Sequence, residues 1–204
     1  MRKIILFILI LSTVVVSGCF FGNDEEASGS KQAANNNKEI EVKASDKQIE
    51  ENLLTKYNMA QSFILIDKTK FRVEAIDDTG KIVASYPCAL GKNSGQKEKE
   101  GDMKTPSGTF PIDEIIDASS WTHDFKDGKG EIAGAYGPWF ISLDTTGLSK
   151  GQWGGIGIHG THDPNSIGKR VSEGCIRLTN EDIQKLKDFA KVGMKVVIIE
   201  ENLE

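Results

Sequence analysis

The stretch from Ile156 to Leu178 constrains this chain more than any other. It opens on an apolar, strand-like run ending at His159 and closes on Ser172-Glu173-Gly174-Cys175-Ile176-Arg177. A glycine stands beside each reactive side chain, Gly160 after His159 and Gly174 before Cys175. A free thiol has a pKa of about 8.5 and attacks only as the thiolate, so it needs a partner that takes its proton. A neutral imidazole near pH 7 is the usual partner. His159 and Cys175 are therefore a possible base and nucleophile. Gly174 permits unusual dihedrals and a close approach of backbone to substrate. The backbone N–H groups of Gly174 and Cys175 are candidate oxyanion donors, because fixed dipoles aimed at developing charge often supply the largest catalytic effect. Arg177 lies two residues beyond Cys175, which on a strand puts both on one face. It is a candidate to bind a substrate carboxylate or support the thiolate, with a structural ion pair as the alternative. Ser172 is a candidate donor to the site, or else the cap of the turn before Cys175.

His159-Gly160-Thr161, ten residues, then Ser172-Glu173-Gly174-Cys175-Ile176-Arg177 resembles the signature of the L,D-transpeptidases of bacterial cell walls, the YkuD-like domain. Lys104-Thr105-Pro106-Ser107-Gly108-Thr109-Phe110 extends the resemblance upstream, so that it covers roughly Gln61 to Glu200. Many members have His where this chain has Glu173, which leaves His159 rather than residue 173 as base. His162 is equally near in sequence, but His159 is the one that matches the motif. The resemblance implies that a backbone carbonyl orients the imidazole, making Gly160 the candidate, with Asp163 as a rival. It implies a mainly β, β-rich α+β fold, with mixed sheets forming a sandwich and a helix after the Cys. It also implies the substrate, a peptidoglycan tetrapeptide stem. Cys175 attacks the carbonyl of the third residue and expels D-Ala, and an amine of another stem resolves the thioester. Water as acceptor gives a carboxypeptidase, and an amine on a protein gives wall attachment. Acylation by carbapenems is a further implication. No cofactor or metal is expected.

The start of the chain reads as a targeting segment over residues 1–18. Arg2 and Lys3 precede an apolar core, Ile4 to Val16, which is shorter than the about 20 residues a spanning helix needs. Val16-Ser17-Gly18-Cys19 looks like a lipoprotein cleavage motif, which makes Cys19 the expected lipidated N-terminus and a membrane the expected partner. A cleaved secretory protein is the alternative. Residues 19–43 are polar, small and aperiodic, the composition of a tether. A helix is expected over 44–60, with Ser45 and Gln48 as a capping box. The catalytic domain then spans 61–200. Hydrophobic residues make up 38% of the chain, which suits one core only if part of the chain is not globular. The net charge of -5 argues against nucleic acid. A monomer is expected.

Within the domain, Ser62 to Pro87 reads as a meander of short antiparallel strands. Cys88 at its end reads as a buried hydrophobe. Gly91 to Lys104 reads as a mobile loop, and Thr109 to Ile116 as a strand. Ser119 to Ala135 reads as a long insert whose His123, near Asp124 and Asp127, fits no metal spacing and is expected in solvent. Tyr136, Trp139 and Trp153 are candidates for an apolar wall along a peptide, with core packing as the alternative. Thr179 to Asp182 caps a helix that Gly193 is expected to end, and Lys195 to Ile199 closes the fold as a strand. Three rival readings remain: a sortase-like transpeptidase, a non-enzymatic wall-binding lipoprotein, and a structural protein with a Cys88–Cys175 disulfide.

Overall fold

The computed structural model describes residues 57–200. The expected leader, Cys19, the tether and all but the last residues of the 44–60 helix lie outside the described residues. Among the described residues no helix is long and apolar enough to cross a membrane.

β1 (Phe63–Asp67), β2 (Arg72–Ile76) and β3 (Ile82–Pro87) form the expected antiparallel meander. β1 is buried along its whole length. Strand side chains alternate between faces. Ile64 and Ile66 accordingly enter the main core, while Phe63 and Leu65 enter a smaller cluster with Ile76 and Val197 on the other face. A strand covered on both faces reads as a continuous apolar run, as Phe63-Ile64-Leu65-Ile66 does. β12 (Lys195–Ile199) pairs parallel with β1 and antiparallel with β5 (Gly108–Asp117). β5 carries the sheet onward. Its first half pairs with β12 and its second half, from Ile112 on, pairs with β8 (Trp139–Leu143), with an irregularity between Ile112 and Glu114. Such an irregularity bends a strand and increases its twist. β9 (Gly157–His159) and β11 (Ile176–Arg177) complete an eight-stranded mixed sheet in the order β11-β9-β8-β5-β12-β1-β2-β3.

That sheet curls on itself around one core. Val73 and Ala75 near one edge share a cluster with Ile158 and Ile176 at the other. The edges are stitched where Ala89, just past β3, exchanges two backbone hydrogen bonds with Arg177 of β11, at 2.8 and 2.9 Å. Beside them β4 (Leu90–Gly91) pairs with β10 (Arg170–Ser172). The short α1 (Thr146–Ser149) follows β8. α2 (Asn180–Phe189) starts as expected, with the Thr179 hydroxyl accepting from the Asp182 N–H at 3.1 Å. It buries Ile183 and Leu186. It ends sooner than expected, because Ala190 turns to extended backbone. Gly193 instead makes the turn into β12, at φ 84°. The 119–135 insert is more ordered than its sequence suggested. It folds as a hairpin of β6 (Thr122–Asp124) and β7 (Glu131–Ala133), with Gly128 and Gly130 at positive φ in its turn.

Candidate active site

A row across three strands builds the site. Phe140 on β8 is the register partner of His159 on β9, which is the partner of Arg177 on β11. Register partners share a face. Cys175 lies two residues before Arg177, just ahead of β11. Gly157 is required beneath the row, because a side chain there would run into the Phe140 ring. The His159 ring stacks on Phe140 with 13° between planes, and Tyr136 meets it edge-on at 4.9 Å between centroids. His159 is 2% exposed. Its Nδ1 lies 2.6 Å from the Gly160 carbonyl oxygen. A carbonyl only accepts, so in the neutral ring the proton sits on Nδ1 and the Nε2 lone pair is left open. Asp163, the rival orienter, uses its carboxylate to accept from the Asn165 N–H instead. Burial pushes the His159 pKa down to about 3, against the opposing pull of the Gly160 carbonyl. His162 is exposed and stacks on Phe125.

The turn carrying Cys175 is tied from inside. The Ser172 hydroxyl donates to the Cys175 carbonyl at 2.6 Å and accepts from the Gly174 N–H at 3.1 Å. Ser172 is 1% exposed. Of the two roles expected of Ser172, its hydroxyl takes that of capping the turn and does not face a substrate, and one expectation is corrected, since the Gly174 N–H already has an acceptor and is no oxyanion donor. The Cys175 N–H has no intramolecular acceptor among the described residues and stays a candidate. Thr105 adds a second tie, donating to the Gly174 carbonyl and accepting from the Gly91 N–H, both at 2.9 Å. Gly174 sits at φ 140°, and a Cβ there would approach the Lys104 carbonyl oxygen to 2.9 Å.

Cys175 Sγ donates to the Gly155 carbonyl at 3.3 Å, and no hydrogen bond joins it to His159 among the described residues. Burial raises its pKa, while the Gly157 backbone amide and the Arg177 guanidinium favour the thiolate. With imidazole basicity lowered and thiol acidity weakened, the resting pair is neutral. Free-enzyme contacts of this kind commonly tighten only with substrate bound. Cys88 is wholly buried and burial pushes its pKa up to about 12. Both cysteines are free, so no Cys88–Cys175 disulfide exists.

Cys175 opens on a cavity of about 590 Å³. Tyr136 and Trp153 line it, as do Lys97, Met103, Trp121 and Glu173. Trp139 is elsewhere, donating to Gln184 on α2. Arg177 does not line the cavity. It is 7% exposed, its guanidinium lies 4.9 Å from the centre of the Phe125 ring, and its buried Nε has no partner. No ion pair of Arg177 occurs among the described residues, and Arg177 lies within electrostatic reach of the thiol. Lys97, Met103 and Trp121 were missed from sequence, since their segments carry no periodicity. His123 is also displaced from its expected place in solvent. It is half-buried, with Nε2 3.1 Å from Glu173 and Nδ1 3.1 Å from the Tyr136 hydroxyl. No group of three or more metal-ligating side chains occurs among the described residues.

The model of the YkuD L,D-transpeptidase catalytic domain family matches residues 61–198. Among proteins bearing the L,D-transpeptidase name, YkuD of Bacillus licheniformis is 34% identical over 118 residues, 58% of this chain and 54% of that protein. YqjB of Bacillus subtilis is 30% identical over 141 residues, 69% of this chain and 72% of that protein. The chain thus spans about half the length of YkuD. In fold it is similar to Bdellovibrio bacteriovorus Bd1075, with TM-score 0.51 and 24% identity over 71% of this chain and 50% of that one. A mutant of the helical cell shape determining protein Pgp2 of Campylobacter jejuni gives TM-score 0.52 and 24% identity over 70% and 48%.

Proposed function

The chain belongs to the YkuD L,D-transpeptidase catalytic domain family, and from that premise we propose that it is a peptidoglycan L,D-transpeptidase acting through a Cys175 thioester. The observation that carries this reading is the row of His159 and Arg177 on paired strands with Cys175 just ahead of it, the imidazole held by Gly160 with its Nε2 open. As Cys175 attacks the carbonyl carbon of the third stem residue, its proton passes to His159 Nε2. A C–S bond forms, and the oxyanion is met by the free Cys175 N–H. Collapse breaks the C–N bond, and the imidazolium returns its proton to the departing D-Ala amine. Burial of both groups suits this order of events. Neither charge is stable in the resting site, so the ion pair forms only as the bond is made. Arg177, within electrostatic reach of the thiol, supports the thiolate. Tyr136 and Trp153 supply the cavity wall along the peptide.

A second stem amine then resolves the thioester and crosslinks two third residues. Water or a protein amine in its place makes the same site a carboxypeptidase or an attachment enzyme. We further assign residues 1–18 to a leader, Cys19 to a lipid anchor and 19–43 to a tether, which puts the 61–200 domain on the outer side of a bacterial membrane, within reach of the wall. The sequence motif at Val16 to Cys19 supports that layout.

The test is incubation of the full chain with a disaccharide-tetrapeptide, read by mass spectrometry beside Cys175→Ala. A dimer lacking one D-Ala, absent with Cys175→Ala, is expected. Tripeptide alone would make the enzyme a carboxypeptidase. Equal products from both proteins would overturn the thioester reading.

A further inference from the structure

The cavity onto which Cys175 opens has one cationic side chain in its lining, Lys97. The two carboxylates that share the lining are Glu100 and Glu173. Lys97 is 5% exposed, and a charge taken so far out of water needs partners. It finds them within its own segment, between β4 and β5. Nζ donates to Asp102 Oδ1 at 2.7 Å and to the Lys99 carbonyl at 3.2 Å. An ammonium carries three N–H donors. The third has no acceptor among the described residues. The ammonium lies 5.4 Å from the centre of the Trp153 ring, another wall of the cavity.

Asp102 is not an exclusive partner. It also accepts from the N–H groups of Glu98, Lys99 and Lys104, so its negative charge is shared among four donors. The ammonium keeps a field of its own, which reaches the thiol and favours the thiolate. Lys97 is thus a charged donor, held in one conformation before any ligand arrives and short of one acceptor. Such preorganisation strengthens the binding of an anion, because the ordering of a long side chain is already done.

The acyl donor supplies the anion. The residue expelled on acylation of Cys175 is the last of its peptide, so it carries a carboxylate joined through a single carbon to the scissile nitrogen. A carbonyl held at Sγ puts that carboxylate in the cavity onto which Cys175 opens. Glu100 and Glu173 repel it there, and Lys97 is the one cation in the lining to attract it. We propose that Lys97 binds the terminal carboxylate of the acyl donor and so selects peptides that end one residue beyond the attacked carbonyl. A peptide that continues past that residue has an amide at the same point, a neutral and weaker acceptor. The proposal rests on the thioester reading above and assigns its choice of donor.

The test compares two donors on the full chain, a tetrapeptide stem and the same peptide with its terminal carboxylate converted to the amide. Intact-protein mass spectrometry follows acylation of Cys175. The wild type is expected to be acylated about 10- to 100-fold more efficiently by the acid, the range of a hydrogen bond to a charged group. Lys97→Met keeps the length of the side chain and drops its charge, and is expected to bring that ratio close to one. Any loss common to both donors, from loosening of the segment, cancels in the ratio. Asp102→Asn loosens the same segment but keeps the ammonium, and is expected to retain the preference. Equal acylation by the two donors in the wild type would overturn the proposal, as would a preference that survives in Lys97→Met or vanishes in Asp102→Asn. A peptide amidated at its internal carboxylates is expected to match the parent. A loss with that peptide in place of the terminal amide would overturn the assignment to the end of the chain. Calorimetric titration of Cys175→Ala with the acid and the terminal amide reads binding without chemistry. The acid is expected to bind tighter by the same factor, and the difference to vanish when Lys97→Met is added. A wild-type chain that forms no thioester with either donor would overturn the proposed function, and the calorimetric ratio would then decide the carboxylate site alone.

Discussion

Two segments rim the cavity, and they are held in opposite ways. Residues 91–108 form a strap anchored by charges taken out of water. Lys68, wholly buried at the end of β1, donates from Nζ to the carbonyls of Gly95 (3.1 Å) and Thr105 (2.9 Å) and to Ser107 Oγ (3.0 Å), and pairs with Glu200 at 2.9 Å. Within the strap, Lys97 and Asp102 pair at 2.7 Å with side chains 4% and 7% exposed. Asp102 also accepts from the N–H groups of Glu98, Lys99 and Lys104. The hairpin over 119–135 has solvated pairs instead, Lys126–Asp124 and Lys129–Asp127, whose lysines are 82% and 74% exposed. Its polar tie to the catalytic turn is His123–Glu173. A desolvated ion pair is costly to break because it strands a charge, whereas an exposed pair contributes little. The strap is therefore fixed by the core beneath it, and the hairpin by what it touches at the site.

Removing the strap's anchor is the largest test of this contrast. Lys68→Ala leaves two carbonyls without their donor and Glu200 with Arg170 and the Gly95 N–H, and is expected to cost about 3–5 kcal/mol. The readout is a lower urea midpoint at unchanged slope. The strap also carries Thr105, which ties Gly174, so transpeptidation is expected to fall in the folded fraction as well. A loss below about 1 kcal/mol, the range of exposed pairs, would place Lys68 with the surface ions and remove the contrast.

Asp102→Asn tests the strap from within. Hydrogen bonds to charged groups contribute about 1.5–3 kcal/mol, so a loss of about 2 kcal/mol is expected at neutral pH. Its pH dependence has a definite sign. Burial works to raise the Asp102 pKa, but the Lys97 ammonium and the three backbone N–H groups outweigh it and hold the carboxyl well below the usual range. The folded state thus resists protonation more than the unfolded chain does. The stabilisation is complete above about pH 3.9, the ordinary carboxylate value, and is lost as the pH falls further toward the folded pKa. Unfolding curves of the two proteins should converge below pH 3.9. A gap that stayed constant into acid would mean that Asp102 acts by shape and not by charge.

What the sequence revealed follows from the range of each interaction. The meander of β1 to β3, the Thr179 cap and the closing β12 are local patterns of period or capping, and they were legible. The motif marked His159 and Cys175, and Gly160 was implied by resemblance. The curl of the sheet was not legible residue by residue, since it depends on β5 changing partners and on Ala89 meeting Arg177. The role of Ser172 was left open between two, and that of the Gly174 N–H was hidden. A hydroxyl can donate inward or outward, and only the fold decided that it closes the turn. Lys68 reaches Thr105 across 37 residues, and His123 reaches Glu173 across 50, with no periodicity to announce either contact. Asp127-Gly128-Lys129-Gly130 does carry a turn signal, the one local mark of this hairpin in the sequence.

The smallest effect is expected at the hairpin tip. Lys126 and Lys129 each hold a carboxylate two residues away along the chain, at 3.0 and 2.9 Å, in solvent. Such pairs restrain two flexible side chains in a high dielectric, so the Coulomb gain and the entropy cost nearly cancel. The double variant Lys126→Ala/Lys129→Ala should unfold at the wild-type urea midpoint, in low salt and in high salt alike. Its rate of Cys175 acylation tests the same point at the site, because the hairpin's polar tie to the catalytic turn runs through His123 and not through its tip. A lowered midpoint that high salt reproduces in the wild type would show that the solvated charges hold the hairpin after all. The two rims would then differ in how far their ions sit from water but not in what the ions do.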